Sequence, residues 1–465
     1  MADAPNEGFD LGRRLKGLTQ VSRRSSLEDL SNIFTPNDPI KNPSKFAGRE
    51  AALEAMINTL LTEGAHAVVF GERGCGKSSL ATMLYNVAQG NVDILEYYGL
   101  RRRLERRGRL SWLVGPTRKK FNAIWVDGFQ KTVDEVIHAI LTRRPEQSRD
   151  GQFGPGLLAY LPTEADQIEV ASKIGFDKVF VARSEVKETF IPQKPINMKE
   201  GMELAVQRYS TANSDDLIII IDEFETVKDK GEIAQYLKSL KRVRFILVGI
   251  AQAATDLIRE HASIARDLHG IQVPPMTNEE LRFILEIGSY ILSPVCGFAN
   301  ESIGEIVRHS HGAPYWCHFL GKALIEQEVD SVGSVEQFLN SSPPRVIGID
   351  KVVSLLAALP TRPDCNIYEQ QLTSITMQDP RIQQVLLEIA KVDSSIINSP
   401  VVYTAIEQRG ELDVGLARQV VDDMLAMDAS SFEVTRRSLD TVSFFFRDPN
   451  FKRYILMRNA GLAPT

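Results

Sequence analysis

A glycine-rich loop of eight residues constrains the fold of this chain more than any other feature of its sequence. The loop reads Gly71-Glu-Arg-Gly-Cys-Gly-Lys77-Ser78 and matches the pattern G-x-x-x-x-G-K-[ST] at every fixed position. Residues 65–70 before it form an apolar run of strand length, and residues 79–88 after it have helical periodicity. A strand, this loop and a helix, in that order, are the context in which the pattern binds phosphate.

The residue types in the loop suit a nucleotide and its metal ion. Glycines let backbone N–H groups converge on phosphate oxygens, where a side chain would block the approach. Lys77 brings a mobile positive charge to the β- and γ-phosphates, and Ser78 offers a hydroxyl to Mg²⁺. We therefore predict a nucleotide site made of consecutive residues. They are Gly71, Glu72, Arg73, Gly74, Cys75, Gly76, Lys77, Ser78 and Ser79.

A second strand candidate ends in acidic residues. Residues 217–221 are wholly apolar and are followed directly by Asp222 and Glu223. The carboxyl end of such a strand is where parallel sheets place their ligands. We predict that Asp222 holds Mg²⁺ through water and that Glu223 polarises the attacking water as general base. Glu225 is the alternative base.

Apolar runs of strand length alternate with helical patterns through the first half of the chain. Besides residues 65–70, the strand candidates are 122–127, 217–222, 243–249 and 271–273. This alternation predicts the α/β fold class, with a parallel sheet flanked by helices. Two stretches, 91–120 and 143–197, interrupt the alternation and are predicted as inserts.

Pattern and composition divide the chain into four predicted regions. Residues 1–44, with several basic residues and prolines, are predicted as a flexible N-terminal arm that is either a solvated tail or binds a partner or phosphate. A core at 45–275 precedes a small helical lid at 276–343. Residues 344–465 contain three helix candidates and two short strand candidates, a winged-helix pattern. Those candidates are 379–391, 399–409, 414–427, 431–434 and 441–446.

Composition excludes several other classes of protein. The formal net charge of −6 over 465 residues argues against a general nucleic-acid coat. The four cysteines form no C-x-x-C or Cys/His cluster, which argues against structural zinc and against a disulfide framework. The most apolar run is too short to span a bilayer, and the first thirty residues lack the apolar core of a signal peptide. We expect a cytoplasmic protein that does not enter a membrane.

The motifs together resemble the AAA+ and STAND branch of P-loop ATPases. Phe46-Ala-Gly-Arg49-Glu50 is similar to the F-x-G-R-E box that lies near the adenine in this group. The likeness runs from about Phe46 onward and is strongest to origin-recognition-type initiator ATPases and prokaryotic STAND ATPases. It implies an AAA+-like core, lid and winged helix that bind ATP and Mg²⁺ and hydrolyse ATP slowly. It also implies nucleotide-controlled oligomerisation or partner engagement, in a prokaryotic defence or stress system.

The same resemblance implies further site residues. Gln252 stands where relatives carry a polar sensor of the γ-phosphate, although Asn, Ser or Thr is more usual. Arg266, with Arg259 as second choice, stands where AAA+ subunits present an arginine finger to a neighbour, which implies a homo-oligomer. Pro314 ends a segment, 309–314, that resembles the G-x-P element of STAND proteins. The segment lacks the sensor arginine of many AAA+ members, which favours the STAND side.

Charge favours a protein partner or effector over DNA. The candidate recognition helix within 411–428 has five acids against one base, Arg418, and acids repel a polyanion. The insert part at 100–120 has nine Lys/Arg against one acid and is the better nucleic-acid candidate, or else a solvated helix or a dock for an acidic protein. Two other functions remain open: an initiator-like DNA-binding ATPase, and a regulatory switch in which ATP is largely structural.

Overall fold

A computed structural model of the chain describes most of its residues. They are 15, 17–114, 121–142, 157–161, 198–213, 215–240, 242–249, 266–377, 379–394, 396–410, 412–425, 432–438 and 440–462. Two compact units are present. Asp38–Pro274 belongs to the first, and Thr19–Asn37 with Pro275–Thr465 forms the second. The predicted arm at 1–44 is thus divided at residue 38, and the predicted boundary between 343 and 344 falls inside the second unit.

A five-stranded parallel sheet forms the centre of the first unit. Its strand order is β2-β3-β4-β1-β5, and β3 pairs in parallel register with both β2 and β4. The predicted α/β fold is confirmed. The strands are β1 (His66–Phe70), β2 (Phe121–Asp127), β3 (Asp216–Asp222), β4 (Val243–Gly249) and β5 (Leu268–Gln272).

Helices cover both faces of this sheet, because successive strand residues point to opposite sides. Ile218 and Ile220 of β3 belong to one buried apolar cluster, and Ile219 and Ile221 belong to another. Helices α2 to α5 pack in the first cluster, and α6 to α8 pack in the second. Their bounds are α2 (Glu50–Leu60), α3 (Lys77–Ala88), α4 (Asp93–Tyr97), α5 (Leu100–Arg106), α6 (Val133–Thr142), α7 (Met198–Ala212) and α8 (Ile233–Ser239).

The predicted insert at 91–120 adds to the core through an apolar face. Leu100 and Leu104 of α5 are 0% and 1% exposed, although the same helix carries arginines at four of its seven positions. The basic stretch is therefore an amphipathic helix with a buried side. Residues 115–120, and all of the second insert except 157–161, lie outside the described residues.

Helices dominate the second unit. The region predicted as the lid contains helices, and the later helix and strand candidates lie at nearly their predicted bounds, whereas the lid and winged-helix assignments stay predictions. The helices are α1 (Leu27–Ser31), α9 (Asn278–Leu292), α10 (Asn300–Ser310), α11 (Pro314–Val332), α12 (Val335–Leu339), α13 (Ile349–Ala358), α14 (Asn366–Thr376), α15 (Arg381–Lys391), α16 (Ser399–Arg409), α17 (Val414–Met424) and α18 (Pro449–Leu462).

Two small sheets complete the second unit. β6 (Cys296–Phe298) pairs in parallel with β7 (Arg345–Ile347). β8 (Ile397–Asn398) and β9 (Phe432–Arg436) lie antiparallel on either side of β10 (Val442–Phe446).

Thr19–Asn37, which we call the strap, packs against α9 and α11 of the second unit. Its Phe34 is 1% exposed, and the ring lies against two glycines. A Cβ atom at Gly288 would come within 2.2 Å of the ring, and one at Gly321 within 3.0 Å. The two glycines therefore form a notch that no larger residue would leave open to the ring.

Across the described part of the chain, none of the helices combines the length and the apolar character that a membrane span requires.

Candidate nucleotide-binding site

The glycine-rich loop connects the end of β1 to the start of α3. Gly74 and Gly76 adopt φ angles of 78° and 95°, which residues other than glycine rarely adopt. A Cβ atom at Gly71 would lie 2.4 Å from the carbonyl oxygen of Val273. The loop is therefore a tight cradle whose backbone conformation requires glycine, as an anion site made of N–H groups does.

Lys77 lies across this loop. Its Nζ donates to the carbonyl oxygens of Gly71 and Glu72 at 3.1 and 2.9 Å, which keeps the ammonium within the cradle. Ser79, two residues after Lys77, is half-buried. Its Oγ accepts a hydrogen bond from the backbone N–H of Ile40 at 3.0 Å. The helix after the loop is thereby tied to the chain segment that follows the strap.

Asp222 meets the loop from the neighbouring part of the sheet. Its carboxylate is hydrogen-bonded to the side chain of Ser78, and burial raises the pKa of Asp222 above its usual value. The Ser78 hydrogen bond and the charge of Lys77 act in the opposite direction and favour the ionised form. Ser78 and Asp222, the two residues predicted as metal ligands, are 144 positions apart in sequence and are in direct contact.

Glu223, directly after β3, adopts a left-handed backbone conformation that is rare for a residue other than glycine. Its φ of 51° and ψ of 35° lie in the left-handed region, and its N–H donates to Asp222 Oδ1 at 3.0 Å. Partial burial, followed by the negative charge of Asp127, raises the pKa of Glu223. The side chain is exposed at the carboxyl edge of the sheet, where a carboxylate has access to water.

Glu225, the alternative base, lies against the end of β4, the strand that pairs with β1 just before the glycine-rich loop. It is half-buried, and a Cβ atom at Gly249, the last residue of β4, would lie 2.9 Å from Glu225 Oε2. This oxygen is buried, and among the residues that the structure describes it has no hydrogen-bond partner. Glu225 therefore faces the end of β4, and Glu223 is the more accessible carboxylate.

Arg49 of the F-x-G-R-E box forms a hydrogen bond with the backbone of the glycine-rich loop. The residue is 4% exposed, and its Nη2 donates to the carbonyl oxygen of Cys75 at 2.7 Å. Its Nη1 donates to the carbonyl oxygen of Pro274, the last residue of the first unit. The box is thus in contact with the loop itself, and its closeness to an adenine stays a prediction.

These residues fit a nucleotide phosphate and a hard metal ion. The cradle offers backbone donors and a lysine, while Ser78 and Asp222 offer the oxygen ligands that Mg²⁺ prefers. Mg²⁺ usually keeps several waters and takes the rest of its ligands from phosphate, so two protein oxygens suffice. Accordingly, no cluster of three or more His, Cys, Asp or Glu suited to a metal occurs among the described residues.

The family of the chain follows from a match that spans this site. Residues 39–288, more than half of the 465, match the family described as novel STAND NTPase 1. The chain belongs to this family. The predicted likeness to AAA+ and STAND-type P-loop ATPases is thereby confirmed, and the match includes the glycine-rich loop, Asp222 and Glu223 of this STAND NTPase.

The STAND NTPase is also similar to solved structures at low identity. ORC1 of Aeropyrum pernix, solved in complex with DNA, is 13% identical, with 93% of this chain and 95% of that chain covered and a TM-score of 0.42. The Walker-type ATPase paby2304 of Pyrococcus abyssi is 13% identical, with 91% and 99% covered and a TM-score of 0.43. The RuvB Holliday junction branch migration motor of Thermotoga maritima is 11% identical, with 89% and 97% covered and a TM-score of 0.38. No curated protein matches the chain.

Four other predicted residues of this STAND NTPase lie at the amino edge of the sheet, in the second unit or outside the described residues. Arg266 is exposed in the turn before β5, which starts beside His66 in parallel register, so it lies at the amino edge of the sheet. Pro314 is buried at the start of α11 in the second unit. Gln252 and Arg259 lie outside the described residues.

Sequence reasoning missed Asp127 as a site residue. It ends β2 and pairs in register with Asp222, so both carboxylates stand at the same edge of the sheet. The signal was available, since residues 122–127 were predicted as a strand that ends in an acid. A single acidic residue at the end of one strand indicates a site only when the strand order places it beside a second acidic residue.

Proposed function

We propose that the protein binds ATP with Mg²⁺, hydrolyses it slowly, and uses its nucleotide state to control self-association or the engagement of a protein partner. The observation that carries this proposal is the hydrogen bond between Ser78 and Asp222. It joins the glycine-rich loop to the acidic end of β3, the two parts that an ATPase of this kind needs in one place.

In this proposal, residues 71–79 hold the phosphates and Lys77 exchanges its carbonyl partners for phosphate oxygens. Ser78 and Asp222 are the residues that would hold Mg²⁺, Asp222 through water. The ion, when bound, supplies positive charge against the β- and γ-phosphates. Gln252 and Pro314 are proposed as further contacts to the nucleotide.

Glu223 is proposed as the general base. Its exposed carboxylate stands one residue beyond Asp222, and its raised pKa makes it a better proton acceptor than an ordinary glutamate. It would take a proton from the water that attacks the γ-phosphate.

Arg266 is proposed to act on a neighbouring subunit. Because it lies at the amino edge of its own sheet, while the glycine-rich loop is at the carboxyl edge, it has no route to its own γ-phosphate. A guanidinium supplied by another copy would stabilise charge in the transition state.

The ion pairs of the basic helix α5 weaken the case for nucleic-acid binding. Arg103 forms ion pairs with Glu50 and Glu54, and Arg107 pairs with Glu54 at 2.8 Å. Charges that are paired within the chain contribute little to binding phosphate. We retain initiator-like DNA binding as the weaker alternative, and a gel-shift series across salt tests it: absence of binding at low salt removes it.

The experiment that tests the main proposal is mass photometry with and without ATP·Mg²⁺, alongside a turnover assay. Wild type is compared with Lys77→Ala. We expect nucleotide-dependent assembly in wild type that is lost in Lys77→Ala, with Arg266→Ala lowering turnover only in assembled protein. A monomer in every condition contradicts control of self-association and removes the trans role of Arg266.

A regulatory switch with structural ATP is the second candidate. It is favoured by segment 309–314, which has no arginine where many AAA+ members carry a sensor. Tight retained nucleotide with negligible turnover supports this candidate, and rapid multiple turnover excludes it. In either form, we propose a role in a prokaryotic defence or stress system, which rests on the likeness to prokaryotic STAND ATPases.

A further inference from the structure

The turn that carries Glu223 is held in a conformation that glutamate seldom adopts. Its φ of 51° costs free energy for a residue with a Cβ atom, so neighbouring contacts must maintain it. The turn continues as a short 3₁₀ helix over Phe224–Thr226, whose Phe224 is 1% exposed and anchors it in the core. What fixes the backbone at Glu223 also fixes the direction in which its side chain leaves the backbone, along the Cα–Cβ bond.

The hydroxyl of Thr226 makes three polar contacts around this turn. Oγ1 lies 2.9 Å from the carbonyl oxygen of Glu223 and accepts from the backbone N–H of Gln130 at 3.1 Å. It also lies 3.4 Å from the carbonyl oxygen of Gly128. A hydroxyl can donate one hydrogen bond and accept two, so the short contact to Glu223 and the bond from Gln130 are satisfied together.

Hydrogen bonds therefore connect the loop after β2 to the turn after β3. Besides the Thr226 contacts, the N–H of Gly128 donates to Asp222 O at 2.8 Å, and the N–H of Lys228 donates to Lys131 O at 2.8 Å. A Cβ atom at Gly128 would lie 2.9 Å from Asp222 O, so the two backbones are in close contact. Thr226 is the side chain that links this loop to the carbonyl of Glu223.

We propose that Thr226 is a positioning residue, whose hydroxyl holds the left-handed turn of Glu223 so that the carboxylate faces the attacking water. This inference rests on the proposed ATPase function. Thr226 touches neither nucleotide nor metal in this scheme and acts only through the backbone of Glu223. Since small misplacements of a catalytic group cost up to about 100-fold in rate, loss of the hydroxyl should lower kcat while leaving nucleotide affinity intact.

The test compares Thr226→Val, which keeps the branched shape and removes the hydroxyl, with Thr226→Ser, which keeps the hydroxyl. Steady-state turnover and the affinity for a fluorescent ATP analogue with Mg²⁺ are measured on the full chain. We expect kcat to fall at least about tenfold in Thr226→Val, with affinity within about twofold of wild type, and to recover in Thr226→Ser. Thr211→Val is the matched control, because the Thr211 hydroxyl donates to Gln207 O within α7, and it should leave turnover unchanged.

A double variant with Glu223→Gln shows whether Thr226 acts through Glu223. We expect Glu223→Gln with Thr226→Val to turn over at the rate of Glu223→Gln alone, because no base remains to be positioned. If Thr226→Val proves unstable, Thr226→Ala is measured in the same way, with thermal unfolding as the check on folding.

The outcomes separate this inference from the function on which it rests. Turnover of Thr226→Val at the wild-type rate, while Glu223→Gln is inactive, overturns the role of Thr226 and leaves the ATPase standing. Equal losses in the Ser and Val variants also overturn it, because the hydroxyl would then not be the cause. Absence of turnover in wild type overturns both.

Discussion

At the carboxyl edge of the sheet in the first unit, the acidic side chains of Asp127, Asp222 and Glu223 stand close together, whereas at the amino edge His66 and Arg244 form hydrogen bonds with other groups of the same unit. Burial raises the pKa of Asp222 and of Glu223, and the negative charge of Asp127 raises both further. Like charges gathered in one place cost stability unless a ligand or ion compensates them. That arrangement is typical of a site for a cation or a proton transfer.

The amino edge has the opposite character. Arg244 is 0% exposed, donates to Asp216 Oδ2 at 2.8 Å, and lies over the ring of Phe121. His66 is 2% exposed; its Nδ1 accepts from the N–H of Phe245 at 3.1 Å, and its Nε2 contacts Leu237 O at 3.0 Å. Both residues are as polar as those of the carboxyl edge, but their partners lie within the chain.

The difference teaches how to separate structural polar residues from functional ones on the same strands. Arg244 and His66 would look like site residues if burial and charge alone were considered. Their partners show that they stabilise the sheet. Variants at the two edges should therefore fall into two classes, one changing turnover and the other changing the free energy of unfolding.

The largest effect is expected from Glu223→Gln. Removal of a general base typically lowers turnover by 10²–10⁴-fold, and we expect about 10³-fold, or about 4 kcal/mol of barrier. The affinity for ATP·Mg²⁺ and the melting temperature should stay near wild type, because the side chain is exposed. Unchanged turnover in Glu223→Gln would show that Glu223 is not the general base. It would also contradict the assignment of the carboxyl edge as the functional one.

Arg244→Ala should show the reverse pattern. Arg244→Ala removes the buried guanidinium and its bond to Asp216, which keeps its 3.3 Å contacts to Arg242, and we expect a loss of about 2 kcal/mol in the free energy of unfolding, measured by denaturant titration. Nucleotide affinity of the folded fraction should be unaffected. A stable Arg244→Ala variant that has lost nucleotide binding would contradict the structural assignment of the amino edge.

A smaller effect is expected from pH through His66. Burial lowers its pKa in the folded state below the 6.5 of an exposed histidine. As pH falls below 6.5, His66 takes up a proton in the unfolded chain but stays neutral in the folded chain. The free energy of unfolding therefore decreases. Between pH 7.5 and 5.5 we expect this residue to contribute about 1 kcal/mol of lost stability. Unfolding followed across this range should show a shallower pH dependence in His66→Asn, and an unchanged slope would argue against a neutral buried histidine.

The smallest effect is expected from Glu225→Gln. Its side chain faces Gly249 and is less accessible than that of Glu223, so we expect turnover to change by less than about threefold. A loss as large as that of Glu223→Gln would make Glu225 the base, the alternative that the sequence left open. Both variants are read in the same turnover assay, which makes their ratio the decisive quantity.

Local patterns predicted the sheet and the cradle well. The strand candidates and the spacing of the glycine-rich loop depend on neighbours in sequence, and each strand of the first unit has at least part of its predicted range. Features that depend on distant residues were not predictable in the same way. Phe34 shows this, because its notch is made by Gly288 and Gly321, far along the chain. The partners of Arg103 and the register of Asp127 beside Asp222 likewise required the tertiary structure.

The strap also has a consequence for how the protein is made. The ribosome synthesises Phe34 before Asp38–Pro274 of the first unit, and it synthesises the helices that form the notch for Phe34 only after that segment. At 5–20 residues per second, about 10–50 s separate the synthesis of Phe34 from that of Gly288. During this interval the strap has an exposed aromatic residue with no binding site, while the first unit has time to fold.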